Sequence, residues 1–134
     1  KYFCFVFEQT NQLQDILTNN FATGKTGNEI LLSALNTAKA KGIQPSIYTH
    51  PIGAHGHAAG PTIGMWDMQN GVPGSGDYKM NPNTCYSIEL NATHNLKDWN
   101  SPVRVALEQN GYFNGTSFKY IDGRQTKIIP IKFD

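Results

Sequence analysis

The chain has 134 residues, with 11 Lys and Arg against 10 Asp and Glu, for a formal net charge of +1. That length makes one domain with room for a core of its own, and the balanced charge argues against a nucleic-acid footprint or a polybasic membrane surface. An apolar content of 39% is too high for a disordered tail, and the longest apolar stretch, around Tyr2–Phe7, is far shorter than the roughly 17–25 residues of a spanning helix.

The first half reads as helical. From Glu8 to Phe21 the apolar residues Leu13, Ile16, Leu17 and Phe21 recur at helical spacing, and Asn19-Asn20 and Gly24 punctuate the end. Thr26-Gly27-Asn28-Glu29 is a capping box, with Thr26 as N-cap and Glu29 reaching back to its N–H. Ile30, Leu31, Ala34, Leu35 and Ala38 form the buried stripe of this second helix. Lys39 and Lys41 complement its dipole, and Gly42 is the expected stop. Thr23-Gly24-Lys25-Thr26 looks like the end of a P-loop, but the glycine required five residues earlier is Asn19, so the segment is a helix start.

The second half reads as strand and loop. Ile43 to Tyr48 is a short extended run, His50 to Gly64 is rich in glycine and proline, and Val72 to Pro82 is a long loop. Cys85–Leu90 and Val103–Glu108 alternate as strands, and Phe118–Ile121 and Lys127–Lys132 are expected to follow as further strands. Helices first and strands after predict an α+β fold with a mainly antiparallel sheet. Cys4 and Cys85 permit one disulfide but lie in no CxxC metal motif, and the plain expectation is two buried thiols. Asn91-Ala92-Thr93 and Asn114-Gly115-Thr116 fit the glycosylation sequon, a pattern frequent by chance.

Chemistry concentrates in His50-Pro51-Ile52-Gly53-Ala54-His55-Gly56-His57. Three of the chain's four histidines fall within these eight residues. Small neighbours leave imidazoles accessible, and neutral imidazole is a common metal ligand and acid–base group. A Gly-rich loop of solvated histidines is the other reading. In the two alternating strands, Tyr86, Ile88 and Leu90 share one face, as do Val103, Val105 and Leu107. Glu89 and Glu108 lie on the opposite faces. A carboxylate in the middle of a strand costs stability unless it is paired, solvated or bound to a cation. One histidine and two glutamates form a mixed N/O set suited to Mn, Fe, Co or Zn.

These residues resemble the pita-bread metallopeptidases, a family that includes methionine aminopeptidase, aminopeptidase P, prolidase and creatinase. The spacing His50, Gly53, His57, followed by Pro61, resembles the family's histidine motif. The resemblance makes His50 a metal ligand and His57 the catalytic histidine facing the substrate. Ser87-Ile88-Glu89 resembles the Thr-Ile-Glu strand, so Glu89 takes the roles of ligand and general base. Arg104-Val105-Ala106-Leu107-Glu108 resembles the Arg-Ile-Glu strand of the prolidase branch, with Glu108 as the bridging ligand displaced by two residues on the same strand face. The family's helix pair before the histidine loop has its counterpart in the two helices here, and the Asp122-Gly123-Arg124-Gln125 turn fits the close of the sheet.

The resemblance implies metal-assisted hydrolysis of short peptides, in the manner of Xaa-Pro dipeptidases and aminopeptidases, with two divalent ions (Mn, Co, Zn or Fe) in a complete domain. His55 would line the substrate cleft and Arg104 would meet a substrate carboxylate. The family's two aspartate ligands lie on strands before the helix pair, and here only Asp15 precedes the histidine loop. The 134 residues therefore correspond to the C-terminal half to two-thirds of a catalytic domain, expected to bind metal weakly and to hydrolyse no peptide alone. Tyr2, Phe3, Phe5, Val6 and Phe7 are the expected exposed apolar surface, with self-association into a homo-oligomer as its consequence. Two rival classes remain: a pita-bread module that binds peptide or protein without catalysis, and a mononuclear hydrolase built on His50, Glu89 and Glu108.

Overall fold

A computed structural model describes residues 2–132. Helix α1 (Tyr2–Asn19) and helix α2 (Gly27–Ala40) precede the strands β1 (Gln44–Ile47), β2 (His50–Pro51), β3 (Thr84–His94), β4 (Val103–Phe113) and β5 (Phe118–Tyr120). The sheet is antiparallel throughout and ordered β1-β3-β4-β5, with β2 also on β3. Both helices pack on one face of the sheet; the other face is open. No helix among the described residues is long and apolar enough to cross a membrane.

The core follows the periodicities. Val6, Leu13 and Leu17 of α1 and Ile30, Leu31, Ala34 and Ala38 of α2 are fully buried against Tyr86, Ile88 and Ala92 of β3. Each of the larger aliphatic side chains contributes about 1.5–3 kcal/mol by leaving water. The capping box is present in both directions: the Glu29 N–H donates to Thr26 Oγ1, and the Thr26 N–H donates to Glu29 Oε2 at 2.7 Å. Gly42 stops α2 in the left-handed region, at φ +76°.

Four expectations are corrected. Helix α1 starts at Tyr2 and ends at Asn19, because Val6 and Phe7 continue upstream of Glu8 the buried stripe of Thr10, Leu13 and Leu17. Of the apolar residues expected to be exposed there, Tyr2, Phe3 and Phe5 are; Val6 and Phe7 face the sheet. The exposed aromatics have local partners, Phe3 edge-on to Trp99, Phe5 edge-on to His94 and the Tyr2 hydroxyl donating to Asp98. Lys127–Lys132 is not a strand. Pro130 has no N–H to donate, and Ile129 and Ile131 stay three-quarters exposed. Both thiols are free, and Cys4 is exposed and Cys85 half-buried, because Cys4 lies on the outer side of α1.

The turn after β5 is tied to α1. Arg124 Nε donates to Asn11 Oδ1 (2.9 Å) and Gln14 Oε1 (3.0 Å), and its other nitrogens reach Asp15 and the Asn11 carbonyl. Gln14, fully buried, in turn donates to Gln109 Oε1 of β4 at 2.7 Å. At the opposite edge, Thr49 and Ile63 exchange backbone hydrogen bonds, which holds the loop after β2 against the sheet. Gly64, next to this bridge, has φ +72°, and a Cβ there would stand 2.1 Å from the Ile47 carbonyl oxygen.

Gly64→Ala should therefore cost about 2 kcal/mol or more, since it meets both a disfavoured φ and a backbone atom; the urea midpoint measures this. A second outcome concerns acid. The Thr26 backbone N–H holds the Glu29 carboxyl below its ordinary range, with the Thr26 hydroxyl and nearby lysines acting in the same direction. A lowered folded-state pKa stabilises above the unfolded value, and that contribution is lost as pH falls through the folded value. Glu29→Gln should lower stability at pH 7 and have little effect at pH 2.5, which denaturation at the two pH values checks.

Candidate functional site

Strands β1 and β2 run along β3 in one register: Gln44 lies opposite Thr93, Ile47 opposite Leu90, and His50 opposite Ser87. Between them the Tyr48 N–H donates to the Glu89 carbonyl at 3.0 Å. Alternation then places Tyr48 and His50 on the same open face as Ser87 and Glu89. Across β3 and β4, Glu89 stands directly opposite Glu108, which brings Glu108 to that face as well. Thr49 anchors the crossing point: its Oγ1 donates to the Glu89 carbonyl (3.1 Å) and accepts the Glu89 N–H (3.2 Å).

The histidine loop folds back on itself. The Gly56 N–H donates to the Gly53 carbonyl and the Ala58 N–H to the Pro51 carbonyl, both at 3.0 Å. Gly53 permits the close approach, since a Cβ there would meet the His57 carbonyl oxygen at 2.7 Å. The result is that His57, seven residues from His50, stacks on it with ring centroids 3.8 Å apart and an interplanar angle of 16°. Tyr48 Oη lies 3.2 Å from His57 Nε2. His50 is buried, and its Nδ1 lies 2.9 Å from the Pro51 carbonyl. A carbonyl only accepts, so Nδ1 carries a proton, and in the neutral ring the lone pair is on Nε2. That Nε2 is 3.7 Å from Glu89 Oε2.

Glu89 is the strained member of the group. Its Oε2 is buried without a hydrogen-bond partner. Burial first, and then the charge of Glu108 opposite, push its carboxyl above the ordinary carboxylate range, while His57 pulls it back. Ser87 Oγ donates to Glu108 Oε1 at 3.2 Å. Glu89 and Glu108 also form one end of a cleft of about 390 Å³ whose walls include Tyr48, Trp66, Asn91 and Arg104.

His50, His57, Glu89 and Glu108 are thus neighbours on one face. His55 stands apart: it is exposed in the turn before Gly56 and is not a wall of the cleft. Arg104 is a wall, on β4 four residues before Glu108. Two further residues escaped the sequence reading. Tyr48 was accessible to it, since it lies two residues before His50 in an edge strand and so shares its face. Trp66 had no local signal; it lies in an irregular loop and only the return of that loop to the sheet brings it there.

The metal expectation meets a limit. Among the described residues no three of His, Cys, Asp and Glu converge as one metal-holding group. The chemistry of the individual donors does fit a divalent ion: an unprotonated imidazole nitrogen faces an orphaned carboxylate oxygen, with a second carboxylate opposite. A cation there would offset the repulsion of the two glutamates.

The chain resembles the crystal structure of an X-Pro aminopeptidase from Thermotoga maritima MSB8, with a TM-score of 0.64 and 15% sequence identity, over 91% of this chain and 31% of that one. The fold is therefore α+β, two helices on an antiparallel sheet that resembles part of the pita-bread fold, and the chain spans about a third of the aminopeptidase. No family model matches the sequence, and no curated protein matches it.

If Glu89 and Glu108 repel across β3 and β4, Glu108→Gln should stabilise the metal-free chain at neutral pH by about 0.5 kcal/mol, the scale of a cross-strand pair. Urea denaturation in the presence of a chelator measures this, and an unchanged or lowered midpoint would contradict it.

Proposed function

We propose that these residues are the C-terminal part of a metal-dependent peptidase domain that cleaves short peptides at Xaa-Pro bonds. The observation that carries this reading is the grouping of His50, Glu89, Glu108 and His57 on the open face of a sheet whose fold resembles an X-Pro aminopeptidase. His50 through Nε2, Glu89 and Glu108 would hold the metal, with the remaining donors and a second ion supplied by parts of the domain beyond these residues. When bound, the metal supplies a Lewis acid and a water of lowered pKa.

The chain's own residues divide the remaining work. Glu89, raised above the ordinary carboxylate range, accepts the proton of the attacking water and returns it to the leaving nitrogen. The Pro51 carbonyl fixes the His50 ring, so that its Nε2 lone pair points to the site. His57, held by Tyr48 and stacked on His50, stabilises the developing oxyanion. A second reading, a peptide-binding module without catalysis, is favoured by Glu108 accepting from Ser87 instead of closing with His50 and Glu89 into one ligand group.

Calorimetric titration with Mn²⁺, Co²⁺ and Zn²⁺ tests the metal site. Weak binding is expected, lowered at least about tenfold by His50→Ala and by Glu89→Ala. Binding that is indifferent to His50 would overturn the assignment. The chain alone should turn over no Xaa-Pro dipeptide, and measurable hydrolysis would show that no further ligands are needed.

A further inference from the structure

Asparagine followed by glycine occurs three times in the chain, at Asn70-Gly71, Asn110-Gly111 and Asn114-Gly115. This dipeptide carries a latent reaction. The backbone nitrogen of the glycine can attack the asparagine carboxamide, because no side chain on the glycine obstructs the five-membered ring that forms. The fold treats the three sites differently. Asn110 lies within β4 opposite Ser87, and Gly111 is paired on both sides, with Tyr86 of β3 and Tyr120 of β5. The ladder keeps this backbone extended and the Gly111 nitrogen in register. Asn114 turns the hairpin between β4 and β5. Its Oδ1 accepts the Thr116 N–H (2.9 Å), the Thr116 hydroxyl (3.1 Å) and the Ser117 N–H (2.8 Å), which fix the orientation of the carboxamide.

Asn70 is exposed in a turn of the long loop after β2. Among the described residues neither its carboxamide nor the Gly71 N–H has a hydrogen-bond partner in the protein. The residues on either side are anchored. Gln69 clasps the edge of the sheet, its Nε2 donating to the Ile47 carbonyl (2.8 Å) and its Oε1 accepting the Ile47 N–H (2.9 Å). The same Nε2 donates to the Met65 carbonyl at 2.6 Å, which ties the clasp to the neighbour of Trp66. Val72 is bonded to Asn28 of α2 in both directions, its N–H donating to Oδ1 (2.7 Å) and its carbonyl accepting from Nδ2 (3.2 Å). Asn70 and Gly71 span the gap between these two clamps.

We propose that Asn70 is a site of spontaneous deamidation, and that the change is felt by the loop that bears Trp66. The Gly71 nitrogen loses its proton to solvent and bonds to Asn70 Cγ. The Cγ–Nδ2 bond breaks, and Nδ2 leaves as ammonia. Water then opens the cyclic imide at either carbonyl, which gives aspartate or isoaspartate. The sum is one water consumed and one ammonia released, with no oxidant or cofactor. Both products place a carboxylate at position 70. Isoaspartate also routes the main chain through the side-chain carbon, so it adds one carbon between the clamps at Gln69 and Val72. One clamp must give to admit it. Because Gln69 also holds Met65, the displacement passes to Trp66, a wall of the cleft beside Glu89. Hydrogen bonding thus selects one of three chemically equivalent dipeptides as the labile one.

The test incubates the folded chain and the chain unfolded in guanidinium at the same neutral pH, and follows each site by peptide mass spectrometry. Unfolded, the three asparagines should convert within a few-fold of one another. Folded, Asn70 should keep nearly its unfolded rate while Asn110 and Asn114 fall behind it at least about tenfold, the scale of one or two hydrogen bonds that must open first. Conversion of Asn110 or Asn114 as fast as Asn70 in the folded chain, or an Asn70 protected by folding as strongly as they are, overturns the site. NMR of the ¹⁵N-labelled chain reads the consequence. The purified isoaspartate form should shift the Trp66 indole N–H and the Val72 amide, whereas Asn70→Asp, which carries the charge without the extra carbon, should leave Val72 in place. An isoaspartate form with both resonances unmoved, or an Asn70→Asp variant that moves them equally, overturns the coupling to the cleft.

Discussion

The pairing of β3 with β4 is the constraint on which the open face depends. Eleven consecutive pairs run from Thr84–Phe113 to His94–Val103. Because side chains alternate, a slip of one residue in β3 would turn Tyr86, Ile88 and Leu90 to water and Glu89 into the helices. That error would cost several buried apolar side chains and bury a carboxylate, so the hydrophobic side of the sheet enforces the geometry of the polar side. β1 and β2 inherit the same register through β3, which is why His50 arrives beside Glu89 and not one residue away.

The reach of the sequence follows from whether each feature is local. The capping box at Thr26 and Glu29 was legible because both partners lie within one turn. The opposite faces of Ile88 and Glu89 were legible because alternation is a property of the strand itself. The start of α1 was misplaced because the aromatic run at Tyr2–Phe7 hides a helical stripe; Val6 is buried while Phe3 and Phe5 are not. Lys127–Lys132 is rich in isoleucine like a strand, yet a strand exists only where an edge receives it, and that is not written in six residues. The stacking of His57 on His50 depends on the Ala58–Pro51 hydrogen bond and the bare Cα of Gly53. Periodicity has no access to such a closure; only the resemblance of the spacing pointed to it.

Polar groups on the two faces of the sheet are held in different surroundings. Between α1 and β4 a chain of hydrogen bonds links side chains: Gln14 donates to Gln109, and Arg124 reaches Asn11, Gln14 and Asp15. Removing one member there would strand its partners without water, so the network specifies how α1 lies on β4. On the open face, Glu89 keeps an unpartnered oxygen beside an imidazole lone pair, and a second carboxylate opposes it. Tyr86 Oη, His94 Nε2 and Tyr120 Oη are also buried without a partner, but none of them carries a charge opposed by a second like charge, as Glu89 does.

The opposed glutamates set the open face apart. A strand pair serving stability alone gains nothing from opposed glutamates, which repel across the sheet, nor from a carboxylate oxygen shielded from water. Substituting Glu108 by glutamine would relieve the repulsion while leaving the shielded Glu89 oxygen in place. The open face therefore carries charges that the core does not need, with Glu89 and Glu108 opposed across the sheet next to His50. The register of β3 and β4, enforced by the apolar side chains beneath, holds the two carboxylates opposed in spite of their repulsion, so the constraint that orders the core also fixes the geometry of the charged face.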